Sequence, residues 1–399
     1  MNHFSRRSAL ALLLFLAACA TNSVTEEPSQ EPDIGVQPDS GAAQGDAGDA
    51  ASNEAGDHDV NLDAERPLIC GKTGFCETRL PTSDVGAPLS LQSVWVVSSN
   101  DVWTVSAEGF ILHWDGTSWT TAYRAAHALY AVWGTATDVW AAGERGLLLH
   151  SSAGVNGGAW MRVETGHAKD IHGIYGSSEK DVWFGYDGAV EHFDGSTLTS
   201  YDLGDPTLQI RSVFGRAGFG TYALYAGGCT TCTGPFTSVH PVVFELVPGQ
   251  VTDFNRALWN VQGIHPCTAV VTDAPDDDHR IFVFGYEDLG NGWTYRYGFL
   301  GQSSSKVTVN PLKDAFGITE TNYNQYPSPP LLLSWANDGV DVRVHSAIGT
   351  ASRWDGTTFA WLPSIDMGFD FVPRKLFGIH GNATDEWLVG DGFALKGPK

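Results

Sequence analysis

From residue 91 onward, short apolar runs rich in Trp, Val, Ile and Leu alternate with turns rich in Gly, Asp and Ser. The runs are too short for helices and have the β-branched and aromatic bias of strands. Four stretches repeat the same order: SVWVVSSNDVWTVSAEGFILHWDGTSW, AVWGTATDVWAAGERGLLLH, GIYGSSEKDVWFGYDGAVEHFDG and LFGIHGNATDEWLVGDGFALK. A degenerate copy, DVRVHSAIGTASRWDGTTF, keeps the spacing from Asp-Val to Trp-Asp-Gly. The aromatic column of the first strands reads Trp95, Trp133, Tyr175, Phe214, His265, Trp335 and His380, preceded by Val94, Val132, Ile174, Val213, Ile264, Ser334 and Ile379. Seven units of about 47 residues have the size of four-stranded propeller blades. The expected fold is therefore all-β, a seven-bladed β-propeller with its blades between about 91 and 397. Asp115-Gly116, Asp194-Gly195 and Asp355-Gly356 mark one hairpin, and Gly109, Gly146, Gly188 and Gly349 the hairpin before it. The last unit lacks a fourth strand, and Phe75 to Leu80 precedes the first unit in the place of one. An N-terminal strand at about 75–80 closing the last blade would remove two open sheet edges.

The N-terminal residues follow another pattern. Residues 1–19 place Arg6 and Arg7 before an apolar run, Ala9 to Ala18, which is too short to span a bilayer and has the layout of an export signal. Leu16-Ala17-Ala18-Cys19 closely resembles the bacterial lipobox, which implies lipidation of Cys19; Ala20 after it favours the outer membrane. Residues 20–66 lack the apolar content to offset the entropy of ordering and are expected to form a disordered tether. This linker carries twelve acidic residues against Arg66 alone, close to half of the chain's net charge of −23. A self-repelling chain extends and holds a domain away from a membrane. Residues 67–399 form the propeller domain. The acidic balance argues against nucleic-acid binding, which needs a basic stripe. Of the 14 Trp residues, most fall in repeat columns, so Trp richness reflects blade packing more than a carbohydrate site.

The VWG, DVWAVG and HWDG pattern stands here as Trp133-Gly134, Asp138 to Gly143 and Ile111 to Gly116. It resembles the propeller repeats of surface lipoproteins from myxobacteria and related bacteria, BNR-like or WD40-like rings without an assigned activity. The resemblance implies an extracellular propeller on a lipid anchor. The Asp-box spacing of sialidases does not occur, so no sialidase activity is carried over.

Six cysteines include Cys19. Cys70 and Cys76 flank the closing strand, where a disulfide would pin it in an oxidising compartment. Cys229 and Cys232 suggest a disulfide in an eroded unit, with Cys232–Cys267 as the alternative; either leaves one thiol over. A lone CxxC without a βαβ context is no redox or zinc motif. His113, His150 and His192 share one repeat position and should be spread around a ring, each bonding its local turn. Asp101, Asp138, Asp181, Asp341 and Asp385 recur before the second strand, where carboxylates accept turn N–H groups. Asp273, Asp276, Asp277 and Asp278 offer a weak Ca²⁺ possibility without the spacing of a calcium loop. No cofactor or metal is otherwise expected, and no catalytic constellation is found.

One column varies where its neighbours do not: Gln92, Tyr130, His172, Arg211, Gln262, Leu332 and Phe377. First strands line a propeller's channel, so these residues, the first five above all, are the candidate binding face. The expected function is a non-catalytic binding module for protein or glycan on a monomeric, outer-membrane lipoprotein, periplasmic or surface-exposed. The membrane is met only through the lipid. The alternatives are a propeller hydrolase or lyase acting on extracellular polysaccharide, and a scaffold in outer-membrane assembly; fold analogy does not choose among them.

Overall fold

The computed structural model describes residues 70–152, 158–228, 239–253, 264–274, 277–288, 293–301, 308–311, 332–346, 349–357, 359–362 and 375–398. The expected signal, Cys19, the tether, and Cys229 and Cys232 lie outside them. Among the described residues the chain is almost wholly strand. A short β1 (Cys76–Thr78) comes first. Six sheets then form from consecutive strands. They are β2 to β5 (Leu91–Ser98, Asp101–Ser106, Phe110–Trp114, Trp119–Arg124) and β6 to β9 (Leu129–Gly134, Val139–Gly143, Leu148–Ser151, Met161–Arg162). Next are β10 to β13 (Gly173–Ser178, Asp181–Tyr186, Ala189–Phe193, Leu198–Asp202) and β14 to β17 (Gln209–Arg216, Gly220–Gly228, Val239–Val247, Gln250–Asp253). The last two are β18 to β21 (Ile264–Ala274, Asp277–Asp288, Trp293–Gly301, Thr308–Pro311) and β22 to β25 (Leu332–Asp338, Asp341–Ser346, Ala351–Trp354, Phe359–Leu362). The remaining sheet is composite: β26 (Leu376–Gly381), β27 (Asp385–Gly390) and β28 (Phe393–Pro398) take β1 as their fourth strand, in the order β1-β28-β27-β26. The innermost strands touch in a circle, β2 to β6, β10, β14, β18, β22, β26 and back to β2. The molecule is an all-β propeller.

The second strand of each blade explains the Trp-rich pattern. β3 is buried along its whole length, as are β7 and β23, because both faces of a blade pack against neighbouring blades. Such strands read as continuous apolar runs rather than alternating ones. Trp103, Trp140, Trp183 and Trp387 occupy the same position and pair across to Trp95, Trp133, Tyr175 and His380. The outermost strands face water: β5 buries only its first residue well, and β13 buries none fully.

The Asp-Gly hairpins form as their sequence requires. Gly116, Gly195 and Gly356 adopt φ of 100°, 95° and 99°, left-handed values that a side chain would strain. The preceding carboxylate closes each turn by accepting N–H bonds, Asp115 from Thr117 and Ser118 at 2.8 Å each, Asp194 from Ser196 at 2.8 Å and Thr197 at 2.7 Å. Led by the Ser118 N–H, these bonds hold the Asp115 carboxyl down at about 2. The hydroxyl and N–H of Thr197 hold Asp194 lower still.

The terminal strands meet as expected, though the N-terminal one is shorter than the 75–80 segment. β1 pairs Cys76 with Lys396, Glu77 with Leu395 and Thr78 with Ala394. Pro81 has no N–H for a ladder, and after Thr78 the chain leaves the sheet, with Leu80 packing against the next blade. The clasp is fastened three ways. Cys70 and Cys76 form a disulfide. Phe75 lies against Gly397, where an added Cβ would meet the phenyl ring at 2.5 Å. Thr78 Oγ1 donates to Ala394 O at 2.9 Å and accepts from Trp119 Nε1 at 2.9 Å. Trp114, Trp119 and Trp387 then fill the seam, with ring centroids 5.3 to 5.6 Å apart.

Two sequence readings of the eroded units need correction. In the fifth blade Val270, not His265, holds the inner aromatic position: Val270 pairs with Phe282 as Phe214 pairs with Tyr222. His265 lies near the start of β18, and Gln262 falls outside the described residues. Ile264-His265 imitates the Val-Trp pair in hydrophobicity, but the irregularity between Pro266 and Thr268 puts the inner position five residues later, at Val270. In the sixth blade Leu332 belongs to the ladder, opposite Ser346, and is fully buried, so it is not a channel-face residue.

A candidate binding site at the channel mouth

The variable column has a structural cause. Ladder irregularities sit between Leu91 and Ser93, Leu129 and Ala131, Ile210 and Ser212, Pro266 and Thr268, and Leu376 and Gly378. Each leaves one residue opposite no partner: Gln92, Tyr130, Arg211, Cys267 and Phe377. His172 sits likewise, its N–H bonding Gly185 O at 3.2 Å while Gly173 takes Gly185 as its register partner. A β-bulge re-aims its extra side chain and twists the strand. Repeated around the ring, the bulge places these side chains on the central cavity, about 290 Å³ in volume, which Gln92, Tyr130, His172, Arg211 and Phe377 line. Cys267 occupies the fifth bulge and is buried. Five residues of the sequence column therefore lie on this cavity, Gln262 falls outside the described residues, and the fifth-blade bulge falls on Cys267 instead.

The rim is uneven. From the first to the fourth blade it is polar. Gln92 Nε2 donates to Ser90 O at 3.1 Å and Ser90 Oγ at 3.0 Å. Tyr130 and His172 stack with ring centroids 4.8 Å apart. Arg211 Nη2 donates to Gln209 Oε1 at 3.0 Å. Burial, reinforced by Asp170 and Glu144, pushes the Tyr130 hydroxyl up to about 12. Burial also lowers His172, with Arg211 acting the same way against the opposing pull of Asp170 and Asp187, so the imidazole is neutral at pH 7. From the fifth to the seventh blade Leu333 and Phe377 line the cavity beside Ala269, and the hydroxyls of Thr268 and Ser334 bond each other at 2.9 Å.

Three residues further along the first strands, about 10 Å deeper, the cavity meets the aromatic column. Trp95 stacks on His380 at 4.0 Å, lies 6.2 Å from Trp133, and reaches Tyr175, two blades away, at 6.2 Å. Its indole N–H donates to Gly134 O at 2.7 Å. His380 Nδ1 accepts the Val96 N–H at 3.0 Å, so its Nε2 carries the proton and the ring is neutral. The cavity is therefore polar at its mouth and aromatic at its far end. Trp95 and His380, read from sequence as blade packing, are also part of this floor.

Acidic residues of the second hairpins, and Asp170 of the loop before β10, are held by the ring's own donors. Glu108 accepts Ser90 N–H at 3.1 Å, Asp391 accepts Ser90 Oγ at 2.8 Å, Asp187 accepts Ile210 N–H at 3.0 Å, and Asp170 accepts Arg145 N–H at 2.8 Å. They pin the start of the first strands. Arg145, the one described non-glycine residue with positive φ (57°), is held there.

The other singled-out residues serve the blades. His113, His150 and His192 donate their Nε2–H to Asp101, Asp138 and Asp181 of their own blades, at 3.1, 2.8 and 2.8 Å, and pack on Trp103, Trp140 and Trp183. Trp103 and Trp183 also donate to these carboxylates, at 2.7 and 3.0 Å. The recurrent Asp therefore binds side chains of its own sheet rather than only turn N–H groups, and the three His do not converge. The sixth blade replaces Trp and His of this trio by Arg343 and Arg353, at 3.3 and 2.7 Å from Asp341. Arg343 and His345 then reach the fully buried Glu386 of the last blade, His345 Nε2 at 3.0 Å. Burial alone would raise the Glu386 carboxyl, but His345 and Arg343 outweigh it and keep it low. Asp273 is held by Arg216 at 3.0 Å, and Asp276 lies outside the described residues. Among the described residues no group of His, Cys, Asp and Glu is arranged to hold a metal ion.

No protein-family model matches the chain, and no curated protein matches it by sequence. Its fold does match solved structures. YCF48 bound to D1 peptide superposes with a TM-score of 0.56 at 14% identity, covering 84% of this chain and 99% of that one. YCF48 from Cyanidioschyzon merolae gives 0.53 at 15%, covering 82% and 99%. The WD40 β-propeller domain of Doa1 gives 0.54 at 11%, covering 81% and 96%. At these identities the likeness is one of fold.

Proposed function

We propose that this protein is a non-catalytic binding module, an exported lipoprotein whose propeller takes a protein partner at the polar mouth of its channel. One observation carries the reading. Gln92, Tyr130 and Arg211 are each set aside from their sheet by a bulge, His172 stands just before β10 in the third blade, and all four, from successive blades, line one cavity. A purely structural role gives no reason to re-aim side chains this way in blade after blade. Convergent polar groups over an apolar floor are the usual composition of a binding site. The YCF48 ring of similar fold has been seen with a peptide, which supports a protein partner over a glycan. Acid–base chemistry would need a positioned pair of titrating groups near neutral pH. Tyr130 is pushed far above that range, and burial lowers His172 from its ordinary value. The lipobox-like Leu16 to Cys19 and the acidic residues 20–66 support display on a lipid-anchored tether.

The test is capture of surface proteins from the producing cell by the wild-type chain and by the Tyr130→Ala/His172→Ala/Arg211→Ala variant. The reading expects a partner held by the first and lost by the second, with the melting temperature little changed. Partners retained equally by both would move the binding surface elsewhere. For the anchor, Cys19→Ser should shift the protein from the membrane fraction to the soluble one.

A further inference from the structure

Resting on that reading, we infer that the channel mouth is a receptor for the free C-terminal carboxylate of a peptide, with Arg211 as its ion-pairing group. Arg211 and its neighbour Ser212 both line the cavity, and each carries a buried polar atom without a partner, Arg211 Nε and Ser212 Oγ. A buried donor left unpaired is costly, and two in succession on one strand point to a ligand that accepts from both. Of the guanidinium's donors only Nη2 is engaged, by Gln209, and among the described residues Arg211 pairs with no carboxylate. The Arg211 guanidinium lines the cavity and carries the planar set of donors that fits a carboxylate.

Among the described residues none of the neighbouring acids forms an ion pair with Arg211. Glu108, Asp170, Asp187 and Asp391 each accept N–H or O–H bonds from the ring itself. Tyr130, kept protonated by its high pKa, supplies a further hydroxyl donor beside the stacked His172.

The shape selects a chain end. Trp95 crosses the far end of the cavity to His380 and Tyr175, so a ligand enters and leaves by the same mouth. A cavity of about 290 Å³ lies at the low end of ligand sites and admits one end of an extended chain, not a loop that must turn back. Across the ring from Arg211, Phe377 and Leu333 offer an apolar wall for the terminal side chain. A uronic-acid sugar, polar all round, would leave that wall uncovered.

The experiment titrates the full-length chain with hexapeptide mixtures free of Asp and Glu, ending either in a carboxylate or in an amide, and with oligogalacturonate. Binding is read by the intrinsic fluorescence of Trp95 and its neighbours and checked by calorimetry. The carboxylate peptides should bind, amidation should weaken them at least tenfold, and Arg211→Gln should do the same. Arg211→Lys should recover only part of the loss, since it restores charge without the fork. Arg216→Gln, which removes a cation of the same strand already paired with Asp273, should leave binding unchanged. Equal binding of the two peptide forms, independent of Arg211, overturns the carboxylate inference while leaving the binding module intact. Binding of oligogalacturonate alone overturns it in favour of a glycan. Failure to bind any peptide or glycan overturns both.

Discussion

The neutral His380 under the channel sets a clear dependence of stability on pH. Its Nδ1 accepts the Val96 N–H at 3.0 Å and its ring is stacked on Trp95 at 4.0 Å. Burial lowers its pKa to about 3. In the unfolded chain the same imidazole takes a proton near 6.5. Between these values the unfolded state binds more protons, so stability falls as the pH drops from 6.5 toward 3 and this group costs nothing more below that. At pH 4.5 the loss has an upper bound of about 2.7 kcal/mol, at roughly 1.4 kcal/mol per pH unit. The partial exposure of the ring to the channel brings it nearer 2 kcal/mol. For a ring of this size that corresponds to about 3 °C in melting temperature. His380→Gln replaces the imidazole by a group that accepts the Val96 N–H and does not titrate. Thermal unfolding of both proteins at pH 7.5 and 4.5, followed by circular dichroism, isolates the effect because all other titrations cancel in the difference. The variant should be the less stable at pH 7.5 through poorer stacking, and should gain about 2 kcal/mol on the wild type by pH 4.5. A difference between the two proteins that is the same at both pH values would refute the assignment of a neutral, buried acceptor.

Glu191 works in the opposite sense. Burial raises its carboxyl to about 7, and among the described residues its one ionic neighbour is His167 at 3.7 Å, itself lowered by burial. The folded state holds this proton up to pH 7, so its contribution is complete below about 4.5 and is lost as the pH rises through 7. Glu191→Gln should therefore stabilise the protein by up to about 2 kcal/mol at pH 8 and little at pH 5, as measured by urea unfolding at each pH. At the seam of the sixth and seventh blades, Glu386→Ala strands Arg343 and His345 without their shared anion and should cost about 3–5 kcal/mol. Glu386→Ala/Arg343→Met should cost clearly less, and a double-mutant cycle showing simple additivity would count against the network. Trp119→Ala removes both the seam packing and the donor to Thr78, and should cost about 3–5 kcal/mol. Hydrogen exchange should then rise first at Cys76–Thr78 and Phe393–Pro398, the two strands of the clasp.

The propeller was legible because its repeat writes itself in residue types. Asp-Gly at a hairpin is a local demand for positive φ, and a Trp in every second strand is a demand for two buried faces; both survive in the sequence of Gly116, Gly195, Trp103 and Trp140. The clasp could be read for a related reason, since a unit without its fourth strand leaves an unpaired edge that only the other terminus can cover. The paired Cys70 and Cys76 sit where that edge is closed. In the fifth blade the same reading failed. Ile264-His265 has the hydrophobicity of a Val-Trp pair, but strand register follows from ladder pairing and from where a bulge falls, and neither is written in hydrophobicity alone.

From the sequence alone came the elements, the ring, and a column of variable residues at Gln92, Tyr130, His172 and Arg211. The tertiary structure decided that this column is a set of bulges and that its side chains meet at one cavity. It also decided that Trp95 and His380 close the far end, and that the neighbouring acids are already bound to the ring's own N–H groups. The reason is geometric: a repeat distributes each residue type around a circle, and only closure of the circle shows which of them point inward to the same place.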